Sequence, residues 1–268
     1  MGFVADLADR IDAVESVVSV GLDPDPERLP PAVADADLPR WAFNRRIIDA
    51  THEYAAAYKP NAAFYEDADG WRALRETAAY ARGKGVPVVL DAKRGDIGNT
   101  ARQYARVLEW VDAVTVNPYL GEDSLQPFLS TDGAGVFVLC RTSNPGGADF
   151  QNLELADHDR RLYEHVARRA TRWDDRYGDV GLVVGATAPD ELAAVRDVAP
   201  DLPFLVPGVG AQGGDAEAAV THGLAEGAGL VNSSRGIIFA GEGADAGDFF
   251  AAAGAAAKRL RDRLEQYR

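Results

Sequence analysis

The feature that most restricts how this 268-residue chain can fold is a set of eight short apolar runs. Each run is followed by a polar loop, and in most cases a stretch of helical length comes next. Most runs are apolar without alternation, which is typical of parallel strands buried on both faces. The stretches between them carry apolar residues at helical spacing, as at Trp71, Leu74 and Ala78. The runs cover residues 16–23, 57–64, 86–93, 113–118, 135–142, 181–187, 203–209 and 229–236.

Eight β-then-α units in a chain of this length predict a (β/α)₈ TIM barrel of the α/β class, formed as a single domain over residues 1–268. No linker or low-complexity segment divides the sequence. The alternative is a doubly wound open sheet, which usually has fewer strands and often carries G-x-G-x-x-G after the first one. Here the first run ends in "GLDPDPERLP" instead. The preceding segment, Phe3 to Val14, is predicted to be an extra N-terminal helix that closes the bottom of the barrel.

The third run passes directly from "VPVVL" into "DAKRGD", which places four charges within six residues. In a (β/α)₈ barrel the active site lies at the carboxyl ends of the strands, so these charges belong to the functional face. Asp91 and Lys93 are two residues apart and would point to the same side of a regular strand. Lys59, on the neighbouring run, can reach the same layer. Because the chain has only four lysines, a pair of them beside one carboxylate predicts a site and not a solvated surface.

Such a network of alternating charges holds its members ionised, because each ammonium group compensates an adjacent carboxylate. It suits a reaction that needs a positioned ammonium proton donor beside a fixed negative charge. A Mg²⁺ ion held by Asp91 and Asp96 is the alternative, although two nearby lysines would compete with it. The single cysteine and four scattered histidines predict no other metal site.

The last two loops predict a phosphate site. "GVGAQGGD" is rich in glycine and a helix is predicted just after it, so backbone N–H groups there can approach an anion. "NSSRG", at the end of the eighth run, adds the guanidinium of Arg235. The loops after strands 7 and 8 are the usual phosphate site of this barrel.

The net charge of −14 argues against a nucleic-acid partner, which would need a basic face. The charged residues are 28 aspartates, 14 glutamates, 24 arginines and 4 lysines. An Asp-rich, Lys-poor composition indicates a halophilic protein that stays hydrated at high salt, with a mildly acidic product of a GC-rich genome as the alternative. No run of 18 apolar residues and no signal peptide is present, so we expect a cytoplasmic protein that does not enter a membrane.

Several segments resemble one known family. "LDAKRGDIGNT" is similar to the Asp-x-Lys-x-x-Asp-Ile-x-x-Thr signature of orotidine 5′-phosphate decarboxylases. "YKPNAAFYE", "VNPYLGEDSLQPF", "LCRTSNPGG", "VVGATAPDEL" and "LVPGVGAQGGD" resemble the longer, type 2 branch of that family. The resemblance extends from about Ser19 to Gly236 with the motifs in order, so it does not depend on one short pattern.

The resemblance implies a homodimeric barrel that decarboxylates orotidine 5′-monophosphate, the last step of de novo UMP synthesis, without a metal or organic cofactor. It implies that Lys93 is the general acid that protonates C6 of the pyrimidine, and that Asp91 faces the departing carboxylate. Lys59 would bridge Asp91 and the ribose. Asp96 and Thr100 would serve the partner subunit's site, across the dimer interface.

The remaining implied roles concern substrate binding. Asp23 corresponds to a ligand of the ribose hydroxyls, and Ser143, or alternatively Thr142, contacts the pyrimidine. For the phosphate, the resemblance implies the side chains of Gln212 and Arg235 and the backbone of Gly214 and Ser234. Two other functions stay open at this point: a Mg²⁺-dependent 3-hexulose-6-phosphate synthase, which shares the Asp-x-Lys-x-x-Asp strand, and a non-catalytic nucleotide-binding barrel.

Overall fold

A computed structural model of the protein describes residues 2–156, 160–209, 215–224, 229–243 and 246–268. Its eight strands pair in parallel in the order β2-β1-β8-β7-β6-β5-β4-β3. The strands are β1 (Val18–Leu22), β2 (Ala57–Pro60), β3 (Val89–Arg94), β4 (Ala113–Val116), β5 (Gly135–Arg141), β6 (Val180–Val184), β7 (Phe204–Pro207) and β8 (Leu230–Ser233).

The two ends of this sheet meet, so it forms a barrel. Parallel bridges join Tyr58 to Val88 and Asn61 to Asp91, which brings β2 beside β3. The (β/α)₈ prediction is confirmed and the doubly wound open sheet is excluded, since an open sheet keeps two free edges.

Helices alternate with the strands around the barrel. The α-helices are α1 (Phe3–Val14), α2 (Pro31–Ala34), α3 (Pro39–Thr51), α4 (Ala68–Gly83), α5 (Gly98–Ala105), α6 (Glu122–Leu129), α7 (Ala148–Gln151), α8 (Leu162–Tyr177), α9 (Pro189–Val198), α10 (Ala216–Thr221), α11 (Arg235–Ile238) and α12 (Ala246–Leu264). Short 3₁₀ turns cover Pro26–Arg28, Ala62–Phe64, Arg106–Glu109, Pro118–Leu120, Pro145–Gly147 and Glu265–Tyr267. No helix among the described residues is long and apolar enough to cross a membrane.

Most strands end earlier than the apolar runs predict, and in β2 and β4 an asparagine side chain bends the backbone into a turn at that point. The carboxamide oxygen of Asn61 accepts the N–H of Ala63 at 3.2 Å, which ends β2 at Pro60. The oxygen of Asn117 accepts the N–H of Tyr119 at 3.1 Å and ends β4 in the same way. An Asn that hydrogen-bonds to the backbone two residues later forms an Asx turn, which competes with continued strand pairing.

Helix α1 lies across the amino-terminal ends of the strands, as predicted. The Phe3 ring packs edge-to-face on Phe137 with centroids 5.9 Å apart. Gly135 begins β5 without a side chain, and a Cβ atom there would lie 2.3 Å from the Phe3 ring. The N–H of Val4 donates to the Asp179 carboxylate, just before β6, at 2.8 Å. These contacts close the bottom of the barrel and leave the carboxyl ends of the strands open.

Between the strands and the outer helices lies an aromatic cluster. The buried ring of Phe43, on α3, stacks on Phe239 at a centroid distance of 5.7 Å. It also contacts Phe249 and Phe250, on α12, at 6.0 and 5.9 Å. Burial of each such ring contributes about 1.5–3 kcal/mol, so this cluster holds α3 and α12 against each other.

Candidate active site

A cavity of about 420 Å³ opens at the carboxyl ends of the strands. This volume is within the range of small-molecule sites. Its walls combine apolar side chains from β5, β6 and β7 with polar groups from β2, β3 and β8 and from the loop after β1. Seven of the predicted site residues line it: Asp23, Lys59, Asp91, Lys93, Ser143, Ser234 and Arg235. Gln212 and Gly214, predicted phosphate ligands, lie outside the described residues.

Asp91 lies between two ammonium groups. Its Oδ2 atom accepts a hydrogen bond from Nζ of Lys59 at 2.9 Å, and its Oδ1 atom accepts one from Nζ of Lys93 at 2.6 Å. The Lys59 residue is 4% exposed, whereas the Lys93 side chain keeps 48% of its surface exposed at the cavity wall. One lysine is therefore fixed within the barrel, and the other is accessible to a ligand.

The charges decide the protonation states of the buried pair. Burial acts to raise the pKa of Asp91, but the Lys59 and Lys93 ammonium groups and their hydrogen bonds hold that pKa well below its usual range. Burial acts to lower the pKa of Lys59, yet Asp91 and Asp23 outweigh it and raise that pKa. Both groups are thus kept ionised inside the protein.

The two-residue period of a regular strand does not explain how Asp91 and Lys93 meet. Lys93 has a left-handed backbone with φ of 48°. From Leu90 to Arg94, four steps along β3 match only two steps along β4, from Val114 to Val116. The two side chains do meet, and they do so across an irregularity in β3 instead of along a regular strand.

The carboxylate of Asp23, after β1, is prepared for a ligand. Its Oδ1 atom is buried and has no hydrogen-bond partner within the described part of the chain. The negative charge of Asp23, together with that of Asp91, raises the pKa of Lys59. Because a buried carboxylate oxygen without a partner is costly, a hydroxyl donor in the cavity would satisfy it.

The loop after β5 distinguishes Ser143 from Thr142. The Thr142 hydroxyl contacts the side chains of Asn144, at 2.7 Å, and Gln151, at 2.9 Å, so it belongs to the loop's internal network. The carbonyl oxygen of Ser143 accepts from the Thr187 hydroxyl at 2.9 Å. No described residue hydrogen-bonds to the Ser143 hydroxyl, which leaves it available at the cavity wall.

A buried ion pair supports this loop from beneath. The guanidinium of Arg141, the last residue of β5, is paired with Glu191 of α9 and donates to the carbonyl of Thr142. Glu191 also accepts from the Asn152 amide at 2.9 Å. The ion pair therefore ties both ends of the loop to α9.

The described residues of the predicted phosphate site, Ser234 and Arg235, lie just after β8 and at the start of α11. Gly21 of β1 allows the close approach of Ser234, since a Cβ atom at Gly21 would lie 2.5 Å from the Ser234 Cβ. Arg235 begins α11 and is exposed at the cavity. Helix α10 begins soon after the glycine-rich segment, as predicted, with the Asp215 carboxylate accepting the N–H of Glu217 at 2.9 Å.

Neither Asp96 nor Thr100 is among the described residues that line the cavity of their own chain. The Asp96 carboxylate accepts the N–H of Ile97 at 2.8 Å, and Thr100 is exposed on α5. Arg94, which the sequence left without a role, points away from the cavity: it pairs with Glu66 at 2.7 Å and lies over the Tyr104 ring.

The sequence reasoning did not identify two residues of this region. Thr115, on β4, is 1% exposed, and its hydroxyl donates to Oδ1 of Asp91 at 3.0 Å. Asn232, on β8, is 8% exposed, lines the cavity and accepts from the Ser19 hydroxyl at 3.3 Å. The available signal was in each case a polar residue inside an apolar run, "AVTV" and "LVNS".

Fold and site together define a (β/α)₈-barrel protein with a lysine–aspartate–lysine cluster at its catalytic face. The sequence profile described as the "Orotidine 5'-phosphate decarboxylase / HUMPS family" matches residues 16–248. The chain belongs to this family.

Individual relatives agree over the whole length. The chain is 74% identical to the orotidine 5′-phosphate decarboxylase of Halobacterium salinarum over 269 residues, which cover 100% of both proteins. It is 70% identical to that of Natronomonas pharaonis over 273 residues, again with 100% of both covered. Among solved structures, the OMP decarboxylase of Leishmania donovani superposes with a TM-score of 0.85 at 44% identity, covering 100% of this chain and 99% of the other.

Proposed function

We propose that the chain decarboxylates orotidine 5′-monophosphate to UMP. The observation that carries this proposal is the placement of Asp91, which is kept ionised between Lys59 and Lys93 at the wall of a nucleotide-sized cavity. The names of relatives up to 74% identical over their full length support the same activity.

In this mechanism the reacting carboxylate of the substrate lies beside Asp91. The like charges destabilise the bound substrate relative to the state in which CO₂ leaves. Cleavage of the C6–CO₂ bond leaves its electron pair at C6, and the nearby ammonium group of Lys93 stabilises that negative charge. Lys93 then donates a proton to C6, which completes the replacement of CO₂ by hydrogen.

The rest of the cavity holds the substrate in place. Lys59 and the free oxygen of Asp23 would bind ribose hydroxyls, and the Ser143 hydroxyl would bind the pyrimidine; all three residues line the cavity, which supports these roles. Arg235 would bind the phosphate with Gln212 and with the backbone of Gly214 and Ser234. Phosphate binding far from C6 supplies energy that holds the carboxylate against Asp91.

We further propose a homodimer in which Asp96 and Thr100 complete the partner subunit's site. Neither residue is among the described residues that line the cavity of their own chain. Large apolar side chains nearby are exposed, with Ile97 at 60%, Leu120 at 48% and Tyr119 at 82%. Apolar groups clustered around the β3 and β4 loops are typical of a surface that a second subunit covers.

The setting of the enzyme follows from its composition. We propose a protein of a high-salt cytoplasm, because 42 acidic residues oppose 28 basic ones and lysine is scarce. Its similarity to a protein of Halobacterium salinarum, a halophilic archaeon, supports this proposal.

The alternative function is a Mg²⁺-dependent 3-hexulose-6-phosphate synthase, which shares the Asp-x-Lys-x-x-Asp strand. Both oxygens of Asp91 already accept hydrogen bonds from ammonium groups, which would repel a divalent cation. This arrangement favours the decarboxylase, as it also does over a barrel that merely binds nucleotides, since binding alone needs no proton donor.

The test is to follow the ultraviolet absorbance of orotidine 5′-monophosphate with purified protein in high salt, with and without EDTA. We expect the same rate of substrate loss in both. No absorbance change at high salt would refute the decarboxylase. Loss of activity with EDTA and recovery with Mg²⁺ would refute the proposal that no metal takes part.

A further inference from the structure

Thr115 makes two hydrogen bonds that join the catalytic charges to the barrel. It is the only hydroxyl residue of β4 and is 1% exposed. Its Oγ1 atom donates to Oδ1 of Asp91 at 3.0 Å and accepts the main-chain N–H of Lys93 at 2.9 Å. One hydroxyl thus uses its donor on the side chain of one residue and its acceptor on the backbone of another.

These bonds occur where β3 departs from regular pairing. The strand carries two more residues than β4 between Leu90 and Arg94, and Lys93 adopts a φ of 48°. A left-handed backbone is unfavourable for lysine, so its surroundings must maintain it. The Thr115 hydroxyl accepts the Lys93 N–H within this irregular stretch, where a regular ladder would offer a carbonyl.

We propose that Thr115 is a positioning residue of the decarboxylation site. Its hydroxyl holds the Asp91 carboxylate and the Lys93 backbone in one arrangement, in which the Lys93 ammonium meets Asp91 and remains accessible from the cavity. Thr115 is not among the described residues that line the cavity, so it acts through Asp91 and Lys93 and not on the substrate. This inference rests on the proposed function of the site.

The comparison of Thr115→Val with Thr115→Ser tests this role. Valine has nearly the shape of threonine and lacks the hydroxyl, whereas serine keeps the hydroxyl. We expect Thr115→Val to lower kcat by about ten- to a hundredfold, the factor that corresponds to one hydrogen bond to a charged group. Thr115→Ser should stay within about threefold of the wild type, and KM should change little in either variant because no substrate contact is removed.

Thr77→Val is the matched control for a general loss of stability. Thr77 is buried on α4, and its hydroxyl donates to the carbonyl of Ala73 at 2.7 Å and accepts from Asn44 at 3.0 Å. This variant should lower Tm without lowering kcat at a temperature where it is folded. Equal kcat values for Thr115→Val and Thr115→Ser would overturn the proposal, as would an equal loss of kcat in Thr77→Val. Should Thr115→Val not fold, Thr115→Ala takes its place with the same expectations.

A crystal structure of Thr115→Val gives a readout that does not depend on activity. The Lys93 Nζ to Asp91 Oδ1 distance, 2.6 Å here, should exceed about 3.5 Å, or the left-handed φ of Lys93 should be lost. An unchanged Lys93–Asp91 arrangement would overturn the positioning role. If the wild type did not decarboxylate the substrate, the proposed function would fail, and this structure would still decide what Thr115 does.

Discussion

The ammonium nitrogen of Lys59 lies 2.9 Å from Oδ2 of Asp91, and the Lys59 residue is 4% exposed. Transfer of either charge alone into the barrel would be unfavourable, so each is kept ionised by its partner. While Oδ2 of Asp91 accepts from Lys59, the other oxygen, Oδ1, accepts a hydrogen bond from Lys93 at the cavity wall. Stability and chemistry therefore depend on one carboxylate.

Asp91→Asn should destabilise the fold, because it leaves the buried Lys59 ammonium without its principal partner. We expect a loss of about 3 kcal/mol in the free energy of unfolding, the order found when one member of a buried pair is removed. Urea unfolding in high salt measures it. Asp262→Asn is the control: it breaks the surface pairs of Asp262 with Lys258 and Arg261, so the free energy of unfolding should hardly change. Equal effects of the two substitutions would contradict a buried pair.

The contribution of Asp91 to stability should also depend on pH. Its pKa is lowered by folding, so near its ordinary value of about 4 the folded chain binds fewer protons than the unfolded chain. The stabilisation is complete above about pH 4 and is lost as the pH falls through the folded-state pKa. The difference in unfolding free energy between wild type and Asp91→Asn should therefore shrink below about pH 4. A difference that grows on acidification would show that the pKa of Asp91 is raised.

Lys93→Ala should slow turnover strongly without unfolding the protein. The variant removes the proposed proton donor but leaves the Lys59–Asp91 pair, so Tm should change little, while kcat should fall by about 10³-fold or more. Lys258→Ala is the matched control, since it removes an ammonium that pairs with a carboxylate on the surface of α12. A wild-type rate in Lys93→Ala would show that another group protonates C6.

The sequence was sufficient to predict the barrel, because buried parallel strands and amphipathic helices have different periods. It was also sufficient to bring Lys59, Asp91 and Lys93 together, since the carboxyl ends of parallel strands meet on one face. It could not predict the left-handed backbone of Lys93 or the group that accepts the Lys93 N–H. These depend on the pairing register between β3 and β4, which arises only when the two strands are placed side by side.

Thr115 was missed for a related reason. In the sequence it is one hydroxyl within "AVTV", and threonine is common in strands for its β-branched shape. Only the structure shows that the hydroxyl contacts Asp91 and not the carbonyl of a neighbouring strand. The role of Arg94 likewise required the fold, because its partners Glu66 and Tyr104 lie 28 residues before and 10 residues after it.

Gly21→Ala, a substitution within the buried strand β1, should weaken substrate binding. The added Cβ would lie 2.5 Å from Cβ and 3.1 Å from Cα of Ser234, so the start of α11, with Arg235, must shift. A displacement of this kind at the proposed phosphate ligand should raise KM by about tenfold. Gly83→Ala is the control, because a Cβ there has open space around it, and its KM should equal the wild-type value. Steady-state kinetics of both variants measure the effect, and equal KM values would show that Arg235 is not placed by this contact.

Heterodimers test the proposed homodimer and determine which subunit uses Asp96. In a heterodimer of Lys93→Ala with Asp96→Ala, donation across the interface leaves one site with both native residues and the other with neither. Co-expressed chains with two different tags should then give a dimer with about half of the wild-type activity. If Asp96 served its own chain, each site would lack one residue and this dimer would be inactive.

The complementary heterodimer pairs a wild-type chain with the double variant Lys93→Ala/Asp96→Ala. Donation across the interface leaves both sites of this dimer incomplete, because the wild-type chain receives no Asp96 and the double variant lacks Lys93. It should therefore be inactive, whereas use of Asp96 within one chain would preserve one intact site and about half of the activity. The two dimers contain the same set of residues in total, so differences in expression or folding cannot produce opposite results. Activity in the second dimer and none in the first would place Asp96 in its own chain's site.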